Sequence, residues 1–314
     1  MEETIRSVLL QNYPNLEYFI IDGGSTDGSV EIIKKYAPWI NHWESQPDRG
    51  QTHAINKGFQ RASGQLINWV NSDDLLCPNA LFRIAQFFEE NPDVALVNGG
   101  MIYFGKKGEE LSQSLVKNPL DYLSTFCYRQ PSSFFRKKVL EQIGFLDEVF
   151  EITMDRDLYV RIALNYSIQD LRTPISKFRK HTDQKTHQFT ATWHHNRLLV
   201  FSRLLQSLKV ETNLLQSLKK NQLFLPTEKA YPNSRSFSKE EKAQIICVFL
   251  LDLARRNYSI RNYETCYQII KWLKTYLPVH YSPAMEKLRV RSRFLRIQLL
   301  GRIKKQYDKL LTKH

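Results

Sequence analysis

The chain has 314 residues, of which 42% are hydrophobic and 12% aromatic, a composition typical of folded globular proteins. It is long enough for one large α/β domain with an appendage or for two modest domains. No apolar run approaches the roughly 20 residues that cross a bilayer. The acidic start Met1-Glu2-Glu3 argues against a signal peptide. The four cysteines follow no CxxC spacing, which disfavours zinc or a disulfide framework and favours a reducing, cytoplasmic location.

Charge is distributed unevenly along the chain. Residues 191–314 contain 24 Lys and Arg against 8 Asp and Glu, whereas residues 1–190 contain 21 against 24. We therefore predict two domains: a near-neutral one at 1–190, of the kind that houses enzymes, and a basic, mainly helical one at 191–314. A basic module is attracted to anionic surfaces such as lipid headgroups or nucleic acid.

Apolar periodicity and turn residues predict helices alternating with strands through the first hundred residues. In chain order these are helix 4–11, strand 16–21, helix 25–36, strand 39–43, helix 50–62, strand 66–70, helix 78–90 and strand 94–97. Such alternation indicates a parallel sheet with helices on both faces. Further along, the sequence predicts helices at 139–143 and 155–164, an extended segment at 168–178, and basic helices near 239–256, 262–277 and 284–312.

Polar residues follow two of the predicted strands. Asp22-Gly23-Gly24-Ser25 comes after the strand at 16–21, and Asn71-Ser72-Asp73-Asp74 after the strand at 66–70. Because sheets of this class bind ligands at the carboxyl ends of their strands, we expect both segments at the same edge. The sequence therefore predicts a binding site there.

The segment Asn71-Ser72-Asp73-Asp74 has two interpretations that the local sequence leaves at even odds. Adjacent carboxylates after a buried strand repel each other, and a divalent cation such as Mg²⁺ or Mn²⁺ would relieve that repulsion and neutralise a diphosphate. Alternatively, Ser72 or an aspartate caps the helix that begins near Pro78.

Two loops on the same side of the predicted sheet carry further candidates. Gly23 would let the backbone approach a ligand closely, and Asp22 would accept hydrogen bonds from a base or ribose. Both residues equally suit an ordinary turn and cap. Arg49, in a loop before the helix that carries Asn56, would pair with Asp22 or Asp73 or meet phosphate, and its alternative is a solvated loop charge.

A second group of candidates lies beyond residue 150. Asp155 opens a predicted helix, where a carboxylate acts either as a cap or as a general base that deprotonates an acceptor hydroxyl. His181 and Lys185 follow the extended segment at 168–178. They would supply a metal ligand and a phosphate-binding cation, or neither.

Taken in order, several segments resemble the family 2 glycosyltransferases of the GT-A fold. The resemblance extends over residues 3–186. The matching stretches are Glu3-Thr4-Ile5-Arg6-Ser7-Val8-Leu9, Ile21-Asp22-Gly23-Gly24-Ser25-Thr26-Asp27-Gly28, Asp48-Arg49-Gly50-Gln51, Ala54-Ile55-Asn56-Lys57-Gly58, Ala62-Ser63-Gly64, Asn71-Ser72-Asp73-Asp74, Gln130-Pro131, Phe134-Phe135-Arg136 and Met154-Asp155-Arg156-Asp157-Leu158.

The resemblance implies a GT-A-like, doubly wound mixed sheet and an inverting transfer of sugar from a nucleotide diphosphate donor. It assigns the catalytic base to Asp155 and the metal ligands to Asp73 and His181, with Mn²⁺ or Mg²⁺ as cofactor. The residues expected to bind the nucleotide-sugar are Asp22, Gly23, Arg49, Asn56, Ser72, Asp73, Asp74 and Lys185. The acceptor would be a glycan or a lipid-linked molecule in cell-envelope or polysaccharide synthesis.

Three features depart from the family pattern. Asn71 stands where many members have the first Asp of a DxD motif, so that metal binding would rest on Asp73. Met154 precedes Asp155 where an acidic residue is common. The usual first strand is missing, and we therefore expect the native chain to begin upstream of Met1.

Other functions remain open from the sequence. An inactive sugar-nucleotide-binding protein would suit Asn71 and the missing first strand, and a nucleotidyltransferase sheet can look alike. The basic helix at 284–312 either packs as a plain helix or lies on an anionic membrane at its inner face. The absence of aromatic–basic interleaving disfavours nucleic acid as its partner.

Overall fold

A computed structural model of the protein describes residues 1–106, 108–112, 116, 118–125, 127–181 and 190–311, with side chains up to residue 298. The chain forms two compact units. The first comprises Met1–Leu204 and Ala230–Arg235, and the second comprises Leu205–Lys229 and Ser236–His314. The domain boundary at residue 190 stays a prediction, because a compact unit need not be a domain that folds on its own.

The first unit alternates helices with strands, as predicted. Its helices are α1 (Glu2–Leu9), α2 (Ser29–Tyr36), α3 (Gln51–Arg61), α4 (Ala80–Glu90), α5 (Asp121–Ser124), α6 (Lys137–Ile143) and α7 (Met154–Asn165), and α8 (Thr190–Ser207) begins in it. Its strands are β1 (Phe19–Asp22), β2 (His42–Ser45), β3 (Leu66–Ile67), β4 (Leu75–Leu76), β5 (Val94–Gly105), β6 (Gly108–Ser112), β7 (Ser133–Arg136) and β8 (Ser167–Lys180). The strand predicted at 39–43 is displaced, because a 3₁₀ turn occupies Ala37–Trp39.

Six strands form one mixed sheet in the order β3-β7-β5-β8-β4, with β6 beside β5. Only the β5–β8 pair is parallel among these described strands, and the other pairs are antiparallel. The expectation of a parallel sheet is therefore wrong here, whereas the mixed sheet implied by the resemblance is confirmed. For β6 the reason is connection length: it begins at Gly108, immediately after β5 ends at Gly105, and a parallel neighbour needs a crossover of a dozen or more residues.

A separate two-stranded parallel sheet carries Asp22. Strands β1 and β2 pair from Phe19 opposite His42 to Asp22 opposite Ser45. Because the two strands run in the same direction and in register, their carboxyl ends emerge side by side. This arrangement brings Ser45 next to Asp22, a proximity that periodicity alone does not reveal.

The hydrophobic core lies between the main sheet, α1 and α4. Helix α4 buries Ala80, Ile84 and Phe88, which are four residues apart and so share one helix face. They pack with Val97 of β5 and Ile175 of β8, both fully buried. Strand β8, whose Arg179 donates hydrogen bonds to Asp73 and Asp74, therefore packs on this buried core.

The second unit is helical, with α9 (Thr212–Lys220), α10 (Lys239–Ser259), α11 (Tyr263–Tyr276) and α12 (Pro283–Leu311). The last three agree with the predicted basic helices. Helix α10 begins with a capping box, in which Ser238 Oγ accepts the N–H of Glu241 and the Glu241 carboxylate accepts the N–H of Ser238. No helix in the described part of the chain is long and apolar enough to cross a bilayer.

A buried ion network holds helix α7 within the first unit. Asp157 is 1% exposed, accepts hydrogen bonds from Arg161 Nε at 2.9 Å and the Tyr231 hydroxyl at 2.7 Å, and lies 3.4 Å from Arg203 Nη1. Arg203 also contacts Asp147 at 2.9 Å. Two buried guanidinium groups therefore depend on the Asp157 carboxylate, and α7 is fixed at its first turns.

Replacing Asp157 with alanine should destabilise the first unit by about 3–5 kcal/mol, because it removes a buried counter-charge from Arg161 and Arg203. Glu141→Ala is the matched control, since Glu141 makes an exposed i,i+4 pair with Lys137 that is expected to contribute less than about 1 kcal/mol. Urea unfolding followed by tryptophan fluorescence measures both. Equal shifts of the two midpoints would contradict this account of the network.

Candidate functional site

Asp22 ends β1 with its carboxylate surrounded by hydrogen-bond donors. Its Oδ2 accepts the N–H groups of Gly24 at 3.0 Å and Ser25 at 2.8 Å and the hydroxyl of Ser45 at 2.6 Å. Its Oδ1 accepts the Ser25 hydroxyl at 2.6 Å. Burial alone would raise the pKa of Asp22, but these hydrogen bonds hold it below its ordinary value. Asp22 is therefore ionised at neutral pH and fixes the turn that follows β1.

The turn after β1 packs against the loop that leads into α3. A Cβ on Gly23 would come 2.8 Å from Asp48 Oδ2, so the Asp48 side chain would have to move for any larger residue. Gly24 has φ +88°, a left-handed conformation that favours glycine. Asp48 Oδ1 in turn accepts the N–H of Gly50 at 2.7 Å. The predicted importance of the two glycines thus has a structural basis in loop packing.

The segment 71–74, called the acidic loop below, is held by a network of side-chain amides. Asn71 Nδ2 donates to Asp74 Oδ2 at 3.2 Å and to Gln130 Oε1 at 3.3 Å, while Asn71 Oδ1 accepts from Gln51 Nε2 at 2.9 Å. Gln51 is the first residue of α3 and directly follows the loop that packs on Gly23. The two strand ends selected from the sequence are therefore connected through one intervening loop.

The two carboxylates of the acidic loop have different environments. Asp74 is 1% exposed, its Oδ1 accepts the backbone N–H of Arg179 at 3.2 Å, and burial together with the charge of Asp73 raises its pKa to about 7. The Asp73 side chain is 38% exposed, and its Oδ2 lies 3.0 Å from His181 Nε2. Asp74 thus anchors the loop, whereas Asp73 presents an accessible carboxylate.

Asp73 and His181 fit a divalent cation that is shared with a substrate. One carboxylate oxygen and one imidazole nitrogen leave the remaining coordination positions to phosphate oxygens and water, which is the usual arrangement for Mg²⁺ and is compatible with Mn²⁺. No cluster of three or more His, Cys, Asp or Glu converges within the described residues. Asn71 does not join this pair, because its amide bonds Asp74, Gln130 and Gln51.

Arg49 and Asn56 contact the loop before α7 and not the acidic loop. Arg49 makes a bidentate pair with Glu148, with Nε at 3.0 Å and Nη2 at 2.8 Å from Oε2. The expected pairing of Arg49 with an aspartate of the sheet edge is therefore not found, because Glu148 matches its planar fork. Asn56 donates to the Leu146 carbonyl at 2.9 Å and accepts the Leu146 N–H at 3.0 Å. Any direct role of these two residues in donor binding stays a prediction.

Asp155 lies half-buried in the first turn of α7, after Thr153 in a left-handed conformation (φ +70°). Its Oδ1 accepts the N–H of Arg156 at 2.7 Å, and Arg156 donates to the carbonyls of Tyr122 at 3.1 Å and Leu123 at 2.6 Å. Burial raises the pKa of Asp155 above its ordinary value, although Arg156 acts in the opposite direction. A raised pKa makes this carboxylate a better base near neutral pH.

Other predicted residues have less decisive positions. Ser72 is exposed, and its carbonyl accepts the Thr4 hydroxyl at 2.7 Å, so that α1 supports the acidic loop. His181 follows β8 directly and reaches Asp73 as described. Lys185 lies outside the described residues, and its phosphate contact stays a prediction.

Three residues that sequence reasoning left without a role hold the acidic loop in place. Gln51 and Gln130 bond Asn71, and Gln130 also donates to the Trp69 carbonyl at 2.5 Å. Arg179 donates from Nε to the Asp73 carbonyl at 3.1 Å. Both glutamines stand in segments that carry the family resemblance, so a signal was present, but their partners depend on tertiary structure.

The sequence model described as glycosyl transferase family 2 matches residues 1–159 of the 314. The chain belongs to this family. The match includes Asp22, Arg49, Asp73 and Asp155, the residues on which the resemblance depended most. The predictions of family and of enzyme class are thereby confirmed, whereas His181 lies beyond the matched segment.

Curated relatives of this family 2 member are glycosyltransferases. A glycosyltransferase of Nostoc sp. (strain PCC 7120), described as uncharacterised, is 28% identical over 195 residues, which cover 58% of this chain and 61% of the relative. Poly-β-1,6-N-acetyl-D-glucosamine synthase of Staphylococcus epidermidis is 31% identical over 166 residues, covering 47% of this chain and 39% of the synthase. The chain therefore spans less than two thirds of each of these relatives.

Solved structures confirm the fold. Residues 1–349 of S. aureus TarS, in complex with UDP, superpose with a TM-score of 0.61 at 16% identity, covering 98% of this chain and 87% of that one. A second structure of the same TarS fragment gives a TM-score of 0.61 at 18% identity. At this identity the likeness establishes the GT-A architecture, with its mixed sheet and helical C-terminal region, and nothing about substrate.

The buried carboxylate of Asp74 should make stability depend on pH. Its pKa in the folded protein, about 7, lies above the ordinary value of 3.8, so folding favours the protonated acid. This stabilisation is complete below about pH 4 and is lost as the pH rises to about 7, on the order of 4 kcal/mol in total. The side chain introduced by Asp74→Asn cannot ionise. The unfolding free energy of this variant minus that of the wild type should therefore increase as the pH rises across this range.

Urea unfolding at a series of pH values in EDTA measures the difference between Asp74→Asn and wild type. Asp93→Asn serves as the control, because Asp93 is an exposed carboxylate away from the acidic loop. Parallel stability curves for wild type and Asp74→Asn would show that Asp74 is ionised in the folded protein and would contradict the prediction.

Proposed function

We propose that the first unit transfers a sugar from a nucleotide diphosphate donor to an acceptor hydroxyl, with inversion at the anomeric carbon. The observation that carries this proposal is the connection between the Asp22 turn and the acidic loop through Gly23–Asp48 packing and the Gln51–Asn71 hydrogen bond. A nucleotide-sugar needs one site for its base and ribose and an adjacent one for its diphosphate. Family 2 membership supports the same reaction class.

The nucleotide end of the donor is assigned to the turn after β1. Asp22 is ionised, and its Oδ1 accepts one hydrogen bond among the described residues, so that this oxygen retains capacity for a base or ribose donor. Gly23 has no side chain, so a ligand can approach the backbone closely beside Asp22. We assign a uridine nucleotide to this turn, because TarS structures of the same fold are complexes with UDP and UDP-GlcNAc.

The diphosphate end is assigned to Asp73 and His181, together with Ser72 and Asp74 of the acidic loop. Lys185, outside the described residues, is assigned to the same end from its predicted phosphate contact. A divalent cation, Mn²⁺ or Mg²⁺, would neutralise the negative charge that develops on the departing diphosphate. Asp73 and His181 would hold such a cation from one side. Asp74 keeps the loop in place through Asn71 and the Arg179 backbone N–H.

Asp155 is assigned as the general base. It accepts the proton of the acceptor hydroxyl while that oxygen forms a bond to the anomeric carbon and the bond from this carbon to the diphosphate oxygen breaks. A single displacement of this kind inverts the anomeric centre. The raised pKa of Asp155 and its position at the start of a firmly anchored helix suit the role.

We infer the acceptor and the cellular setting from a relative of the chain. The S. epidermidis relative is named as a polysaccharide synthase, which supports a glycan or lipid-linked acceptor in envelope or polysaccharide synthesis. A cytoplasmic enzyme at the inner face of the membrane would have access to both nucleotide-sugars and lipid-linked acceptors.

Asp155→Asn should reduce donor turnover at least a hundredfold, because general base catalysis contributes roughly 10²–10⁴ in rate. The measurement is release of free sugar and nucleoside diphosphate from a panel of labelled UDP- and GDP-sugars with Mn²⁺. Glu151→Gln, an exposed carboxylate near the same helix, is the matched control and should keep wild-type turnover. Thermal shift by the donor should persist in both variants.

The products of this assay separate the competing functions. In a parallel reaction with added pyrophosphate, a nucleotidyltransferase would release nucleoside triphosphate and sugar 1-phosphate instead of free sugar. An inactive binding protein would give a thermal shift without products in the wild type. Either result, or full turnover by Asp155→Asn, would contradict the proposal.

A further inference from the structure

Helix α12 of the second unit carries a row of exposed apolar side chains. Val290, Phe294 and Ile297 are 53%, 60% and 55% exposed. Because successive helical residues are rotated by about 100°, positions spaced by four and three fall within an arc of roughly 60°. The three side chains therefore form one continuous stripe, which we call the α12 stripe.

The α12 stripe lies opposite the face by which the helix packs. Met285 and Ser292 are buried, and Ser292 Oγ lies 3.1 Å from Cys266 Sγ of α11. Leu288 and Leu295 are half-buried. Helix α12 is therefore held by one face while the α12 stripe on the other face is exposed.

Cations border the α12 stripe on both sides. At 100° per residue, Lys287 and Arg291 flank one side and Arg293 flanks the other, and all three are exposed. None of these three pairs with a carboxylate among the described side chains. Two other arginines of α12 differ: Arg289 pairs with Glu286 at 2.5 Å and Arg296 with Glu264 at 2.9 Å. The three cations that flank the α12 stripe are therefore not neutralised by a carboxylate among the described side chains.

A groove of about 300 Å³ between α10 and α12 extends this basic surface. Arg255 and Tyr258 line it from α10, and Lys287 and Arg291 line it from α12. Three positive charges and a phenol around a cavity of this size suit a phosphate headgroup, which accepts hydrogen bonds from several donors.

We propose that the α12 stripe and its flanking cations bind the surface of a bilayer that contains anionic phospholipids. The apolar side chains would enter the boundary between headgroups and acyl chains, and the cations would contact the phosphates. A second copy of the chain is a poor occupant, because it would bring two basic surfaces together. Nucleic acid would leave the apolar side chains without a partner.

Membrane binding by α12 and sugar transfer by the first unit are independent properties, and each can be absent while the other is present. Co-sedimentation of the full chain with phosphatidylcholine vesicles, with and without roughly 30% phosphatidylglycerol, tests it. The wild type should sediment with the anionic vesicles at low salt, should bind neutral vesicles far less, and should be released at high salt.

Two pairs of variants separate the charged from the apolar contribution. Arg291→Gln/Arg293→Gln should lower the partition coefficient roughly 30-fold, about fivefold for each cation. Lys219→Gln/Lys220→Gln, an equal loss of exposed charge elsewhere in the second unit, should lower it much less. Phe294→Ser should lower it roughly tenfold, whereas Val279→Ser, at a residue 86% exposed, should have little effect. All six positions are exposed, so unfolding midpoints should remain near wild type.

Several outcomes would overturn the proposal. These are equal binding to neutral and anionic vesicles, no binding of the wild type at low salt, or equal losses in test and control variants. Dissociation of an oligomer by Phe294→Ser, seen by analytical ultracentrifugation without lipid binding, would assign the stripe to a second copy. Displacement from vesicles by duplex DNA at low concentration would assign the cations to nucleic acid.

Discussion

The burial of one carboxylate beside a second, accessible one is the constraint on which the candidate site depends. Asp74 is enclosed next to Asp73, and two adjacent negative charges at a dry position are unfavourable without compensation. The chain compensates with the Asn71 amide and the backbone N–H of Arg179, and the raised pKa of Asp74 favours its neutral acid. Asp73 is thereby held at the surface, where a cation and a diphosphate can reach it.

Most polar residues of the sheet edge build the site and do not face a ligand. Arg49 holds Glu148, and Asp157 holds the start of α7 through Arg161 and Arg203. These contacts link the loop before α3 to the segment before α7 and anchor the helix that carries Asp155. Rigid support of this kind matters for group transfer, because an acceptor oxygen and an anomeric carbon must meet in a defined geometry.

The features that could be predicted from the sequence are those that depend on residues close together along the chain, such as strand ends and helix starts. Strand ends, helix starts and the motif order selected Asp22, Asp73 and Asp155 as candidates, and the structure connects the segments of the first two through one intervening loop. Sequence did not reveal that Arg49 pairs with Glu148 or that Asn56 binds Leu146, because these partners are 99 and 90 residues away along the chain. The outward stripe of α12 was also missed, since periodicity shows that a face is apolar but not which face packs.

The central claim is that the Asp22 turn and the acidic loop bind the two ends of one nucleotide diphosphate donor. Anomalous diffraction from crystals grown with UDP and Mn²⁺ tests it most directly. The account predicts a manganese peak coordinated by Asp73 and by the diphosphate, with the uridine against Asp22 and Gly23. Manganese bound away from Asp73, or a nucleotide bound elsewhere while this edge stays empty, would contradict it.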